Sequence, residues 1–260
     1  MNPLYMISLP VDLRELRKQC AVHGFGADEG RALHHFLCET FGKSAVQLFR
    51  LMPGRNGSPM ASLYGYSSRT LAEFRQTAQE TAMPESASLF DLERLAAKSM
   101  PEVWTEGRRL AFDIRIRPVK RLLKPLEAAT HATRRALLND REVKPFAKGQ
   151  EVDAYLVTRL RDHPEACRDA SGGMTREAVY RDWLAERLHG AMLDAGATRM
   201  VSCERARVLR GSRQLEAPDV VFHGGLTVCD PAEFSKSLAK GIGRHKAYGY
   251  GMLLLRPARG

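Results

Sequence analysis

Two apolar runs, VQLFRLMP (46–53) and MASLYGYS (60–67), are joined by GRNGSP, and this arrangement constrains the fold more than any other feature of the chain. Asn-Gly in a short connection favours left-handed backbone and predicts a β-hairpin. Helical pattern flanks the hairpin, from about Asp28 to Phe41 before it and over SRTLAEFRQTAQETAM (68–83) after it. LYMISLPV (4–11) reads as a buried opening strand, and RRLAFDIRIRPVKRL (108–122) as a long alternating strand. The order is therefore β-α-β-β-α-β, which predicts an α+β, ferredoxin-like unit.

A similar order recurs downstream. MTREAVYRDWLAERLHGAML (174–193) carries Val179, Trp183, Leu184, Leu188 and Met192 at three- and four-residue steps, the pattern of an amphipathic helix. RMVSCERARVLR (199–210) and VVFHGGLTVCD (220–230) predict a hairpin, PAEFSKSLAKGI (231–242) a short helix and YGMLLLRP (250–257) a last strand. This second set lacks only a legible opening strand. The expectation is two tandem ferredoxin-like (RRM-like) domains, at 1–122 and 174–260. They are separated by a polar, basic linker or insert (123–173) with short helices around DAYLVTRLRDH.

Lys and Arg total 40 against 30 Asp and Glu, a formal net charge of +10. The arginines cluster in RLRKQC, RIRPVKRLLK, ERARVLRGSR and GRHK. Such a surface suits a polyanion, nucleic acid before an acidic membrane. No apolar run reaches the ~18 residues of a membrane span, and the opening residues lack a signal-peptide pattern. Five scattered cysteines without CxxC spacing read as reduced thiols. Together these predict a cytoplasmic protein with no membrane partner. The eight histidines show no ligand spacing, so neither a metal nor another cofactor is expected. GxSxG, GxxxxGK[ST] and paired-carboxylate patterns are missing.

The residues that remain point to phosphate. In GIGRHKAYGYGMLLLRP (241–257), Arg244, His245 and Lys246 lie between glycine pairs that open the backbone to close approach. Amides and cations on one short segment form an anion site, while the alternative is a flexible connector into the last strand. On the 28–41 helix, Leu33, Phe36, Leu37 and Phe41 make the apolar stripe. His35 falls opposite the stripe, and His34 at its edge, one turn from both Arg31 and Cys38. A partly dehydrated histidine has a lowered pKa; the plainer alternative is a boundary histidine bonded to a neighbour. Arg115 and Arg117 share a strand face with Asp113, a candidate partner for either. Lys120, Arg121 and Lys124 follow, and Arg207, Arg210 and Arg213 mark a hairpin tip. Tyr248 and Tyr250 stack on a base or pack on the sheet.

These stretches resemble the CRISPR-associated endoribonucleases that cut repeat RNA, in the form found in subtype I-E Cascade, with a type IV relative as the alternative. The glycine-rich segment is similar to that family's C-terminal loop. LAFDIRIRPVKRL is similar to its F-x-[LI]-R-x-[NR]-P-x-K strand end through Phe112, Ile114, Arg115, Pro118 and Lys120. VVFHGGLTVCDP is similar to its strand-turn-strand segment. The resemblance implies metal-independent cleavage of a CRISPR repeat RNA at the base of its hairpin, with the crRNA product retained. It also implies partners from a Cascade-like ribonucleoprotein. The family's histidine, in an L-H-x-x-L setting, falls on His34, and the position where relatives carry tyrosine is Arg31. Catalytic roles are thus implied for His34 and Arg31. RNA contacts are implied for Gly243, Arg244, His245 and Lys246 of the loop, and for Arg115, Arg117, Lys120, Arg121, Arg207, Arg210 and Arg213. A non-catalytic crRNA scaffold, and a general ribonuclease or DNA-binding protein, are the competing expectations.

Overall fold

The computed structural model describes residues 3–54, 57–125, 146–161, 174–210 and 213–258. The first unit runs β1 (Tyr5–Asp12), α1 (Leu13–Val22), α2 (Glu29–Phe41), β2 (Leu48–Met52) and β3 (Met60–Ser67). It continues with α3 (Leu71–Thr81), α4 (Pro84–Leu89) and β4 (Ala96–Ser99). Its sheet has the order β2-β3-β1-β4, every neighbour antiparallel. Local chemistry sets the helix starts: Asp28 accepts from the Arg31 amide, and Thr70 and Glu73 form a reciprocal capping box. Ile7, Leu9 and Val11 of β1 meet Leu33, Phe36 and Leu37 of α2 in one core.

The second unit comprises β5 (Arg109–Ile116), β6 (Val119–Arg121), β7 (Glu151–Asp153), α5 (Ala154–Arg161) and α6 (Arg176–Ala185). A hairpin of β8 (Ala191–Arg210) and β9 (Arg213–Val228) follows, then α7 (Pro231–Lys240) and β10 (Leu253–Pro257). Its sheet reads β10-β5-β9-β8, which repeats the first order with β5 in the opening place. Both units are ferredoxin-like, and β6 and β7 pair separately.

The strand expected to finish the first unit therefore opens the second, and the first sheet is closed by β4 instead. Leu110, Phe112, Ile114 and Ile116 alternate as predicted, but they pack with Trp183 of α6 and Phe234 of α7. The run also breaks at Arg117–Pro118, because proline offers no N–H to continue the ladder. The expected helix over 174–193 stops at Ala185. Gly190 holds φ +79 with its Cβ position 2.1 Å from the Phe234 nitrogen, and Met192, assigned to the apolar stripe, is exposed on β8. His223-Gly224-Gly225 is not a turn but mid-strand. Residues 195–198 bulge opposite Gly224, where a Cβ would strike Thr198 and Phe112.

The open faces of the two sheets meet. Met6 and Tyr64 from the first lie against the second core, and the Tyr66 hydroxyl donates to the Leu253 carbonyl at 2.8 Å. Arg50 of β2 reaches Asp113 of β5 at 2.8 Å, and His223 Nε2 lies 2.6 Å from the other carboxylate oxygen. Asp113, expected to pair with Arg115 or Arg117, thus joins the two units. Arg115 pairs with a different acid, Asp219.

Candidate nucleic-acid cleavage site

The apolar stripe of α2 is buried as its periodicity requires, which leaves His34 half-buried at its margin and His35 exposed. Burial, and then the charge of His35, lower the pKa of His34 from the ordinary 6.5. Its ring nitrogens lie 3.8 and 3.9 Å from Cys38 Sγ. Arg31, one turn earlier, sits over the Phe25 ring at 5.3 Å and makes no ion pair among the described residues.

The glycine-rich segment leaves α7, turns outward and returns to β10. Gly251 closes it: its carbonyl accepts from Ile242 at 2.8 Å and its amide donates to Arg115 at 2.7 Å. Gly243, at φ +78, lies against the Trp183 indole, where a Cβ would come within 2.6 Å. The segment is therefore fastened by its glycines, which answers the flexible-connector alternative. No backbone carbonyl among the described residues accepts from the amides of Gly243 or Arg244.

At its tip the segment meets α2. The Tyr248 carbonyl lies against Gly30, with a Cβ position only 2.4 Å away, and the Tyr248 ring stands edge-on to His34 at 5.4 Å. Arg31, His34, Arg244, His245, Lys246 and Tyr248 line one cleft of about 1270 Å³. Residues some 210 positions apart in sequence thus converge. Gly30→Ala is expected to push the loop off the helix. Alanine favours the helix itself by about 1 kcal/mol, so RNA cleavage should fall much further than the melting temperature. Loss of both in parallel would show that Gly30 serves the fold alone.

A brace that sequence reasoning missed holds the loop. Glu151 of β7 contacts Arg244 Nε at 2.5 Å and His245 Nε2 at 2.7 Å. His245 adopts left-handed backbone at φ 61, a strained state for a non-glycine residue that such anchoring sustains. Hydrogen bonding and charge from His245, and then Arg244, pull the Glu151 carboxyl down to about 2 from 4.5. Because the folded value is depressed, this stabilisation is complete above about pH 4.5 and disappears as pH falls toward 2. Thermal melts across that window should lose stability more steeply in wild type than in Glu151→Gln. Parallel curves would remove Glu151 as the cause. The GQEVD stretch lay within the presumed linker, and only its pairing with β6 reveals it.

The remaining cations divide. Arg115 pairs with Asp219 through Nε and a terminal nitrogen, and it lies over the Tyr250 ring at 4.6 Å. Arg117 is 3% exposed on the same ring's surroundings, its guanidinium 5.7 Å from the ring centre. Tyr250 packs on the sheet, and its hydroxyl donates to Asp219 at 3.0 Å. Arg115 is thereby paired inside the second unit, whereas the buried Arg117 leaves Nε and one terminal nitrogen without a hydrogen-bond partner among the described residues. Lys246 donates to the Lys240 carbonyl at 2.7 Å, and Lys120 and Arg121 face a separate cleft behind the loop. The side chains of Arg207, Arg210 and Arg213 lie outside the described residues. Among the described residues no group of three or more His, Cys, Asp or Glu side chains is arranged to hold a metal ion, and no helix is long and apolar enough to cross a membrane.

Residues 4–257 match the family described as CRISPR associated protein. The chain belongs to that family. The fold of this CRISPR-associated protein is shared by Thermus thermophilus Cse3 bound to an RNA representing a pre-cleavage complex. That match has a TM-score of 0.62 at 20% identity, covering 98% of this chain and 100% of the other. It is shared too by the CRISPR-associated protein Cas6e from Escherichia coli K-12, with TM-score 0.57, 18% identity and the same coverage. A chain of a CRISPR RNA-guided surveillance complex also matches, at 0.54 and 17%, again over 98% and 100%. No curated protein matches the chain by sequence.

Proposed function

We propose that this protein is an endoribonuclease that cuts CRISPR repeat RNA at the base of its hairpin, using the RNA's own 2′-OH and no metal ion. One observation carries the reading: a half-buried histidine of lowered pKa shares a cleft with Arg31 and the tip of the glycine-rich loop. Family membership and the likeness to RNA-bound Cse3 support the substrate class. The likeness to a surveillance-complex chain supports a place in a Cascade-like ribonucleoprotein that retains the product.

The chemistry follows from the groups available. RNA supplies the nucleophile, so the protein needs a base, a charge stabiliser and alignment. Neutral His34 accepts the 2′-OH proton as the 2′-oxygen bonds to phosphorus. The P–O5′ bond breaks, and the departing 5′-oxygen takes a proton from water. Arg31 faces the extra negative charge of the pentacoordinate phosphorus. Lys246 and the Gly243 and Arg244 amides align the backbone. The products are a 2′,3′-cyclic phosphate and a 5′-hydroxyl.

The test is a gel assay with a labelled repeat hairpin in excess EDTA, run beside a substrate lacking the 2′-OH at the mapped cut. One cut at the stem base, absent from the deoxy substrate, supports the reading. Tight binding without any cut supports the scaffold alternative instead. The pH profile adds a check on His34. Its lowered pKa puts the acid limb of the cleavage rate below pH 6.5, and a limb above that value would assign the titration to another group.

A further inference from the structure

Behind the glycine-rich loop, on the side away from His34, lies a second cleft of about 890 Å³. Lys120, Arg121 and Lys124 border it where the chain leaves β6; Arg187 follows α6, and Lys236 and Lys240 project from α7. The loop residues Arg244 and Lys246, together with Lys240, line this cleft and the His34 cleft alike, so they form the ridge between the two.

We propose that this cleft binds a single-stranded segment of RNA flanking the cleavage site, held through its phosphates as it crosses the ridge from His34. The inference rests on the endoribonuclease reading of the first cleft. Three observations support it. The charge is one-sided: among the described residues Glu233 is the only carboxylate on the lining, and it is taken by Lys236 at 2.7 Å. Arg121, Lys124 and Lys240 have no carboxylate partner among the described residues, so the cleft keeps an uncompensated positive field. The lining also mixes charge with flat and apolar surface. Trp183 is only 2% exposed and lies beneath Arg187, whose guanidinium stacks on it at 4.3 Å, and Leu123 stands 81% exposed among the cations. Exposed apolar surface beside phosphate-binding cations suits unpaired bases, which present a face to stack. Finally, a duplex is gripped across its broad outside, whereas a separate strand can be drawn into a cleft with its bases splayed. Lys120, Arg121 and Lys124 are therefore assigned to the flank rather than to the stem.

The experiment compares binding of three RNAs, each blocked by a 2′-deoxy nucleotide at the cut: the bare hairpin, the hairpin with a 5′ flank, and the hairpin with a 3′ flank. Wild type is set beside Arg121→Ser/Lys124→Ser, two exposed positions without a carboxylate partner among the described residues, whose loss leaves the core intact. One flank should tighten wild-type binding by about tenfold or more. The double variant should lose that gain while binding the bare hairpin as wild type does. Its salt slope on the flanked RNA should fall by about 1.4, at about 0.7 for each lost single-strand contact. Equal wild-type affinity for flanked and bare hairpins overturns the proposal, and cleavage of the unblocked hairpin would then show that the His34 reading survives alone. Equal weakening on all three RNAs also overturns it, because the cleft would then hold the stem. A flank effect without cleavage of the unblocked RNA leaves the cleft standing and removes the endonuclease reading.

Discussion

His34→Ala is expected to slow single-turnover cleavage of a repeat hairpin by about 10²–10⁴-fold, the range of general acid–base help, while RNA affinity stays near that of wild type. The expectation follows from position rather than from the presence of a histidine. His35 borders the same cleft, yet it is exposed and tilted against Phe25 at 5.5 Å, outside the Tyr248 contact. His35→Ala should therefore leave the rate far closer to wild type. Since His34 is only half-buried and its polar neighbour, the Cys38 thiol, lies on the same helix, circular dichroism should show both variants folded. A rate that survives His34→Ala would move the chemistry to Arg31, to His245 or to in-line positioning alone.

The second large effect is on stability. Asp113→Ala leaves Arg50 with a buried, unpaired charge, since the two side chains are 0% and 9% exposed. Breaking such a pair from one side costs about 3–5 kcal/mol. For a chain of this size that lowers the melting temperature by roughly 6–20 °C. Arg50→Met/Asp113→Leu, which removes both charges at similar volume, should recover most of the loss. His223, half exposed, can return to water and so does not spoil the comparison. If the single and double variants melt alike, the ion pair is not what holds the two sheets together.

Most elements were legible because each announces itself within a few residues. The Asp28 cap, the Thr70–Glu73 box and the α2 stripe all depend on local spacing. Partnership is different. RLAFDIRI looks the same whichever sheet takes it, and AAKS, a four-residue edge strand mostly in solvent, shows no alternation to compete for the place. The long β8–β9 ladder hid behind its bulge, which breaks the period of two between Asp194 and Arg199. In the site, His34 and the loop could be picked out separately. Their meeting depends on Gly30 beneath Tyr248, a contact with no sequence signal, and Glu151 had none either. Arg115 reads as a surface cation because nothing local foretells Asp219, more than 100 residues away.

The exchange of β5 into the second sheet governs the order in which the two sheets can be completed. During synthesis the first sheet has all its strands once residue 99 has emerged. β5 follows almost at once, but its two neighbours, β9 and β10, begin only at Arg213 and Leu253. At ordinary elongation speeds it waits roughly 5–30 s as an unmatched strand. The tip that meets His34 is delivered by the same final stretch. A nascent chain therefore has a folded-length first sheet, an open second one and no assembled cleft until residues 241–257 have been made.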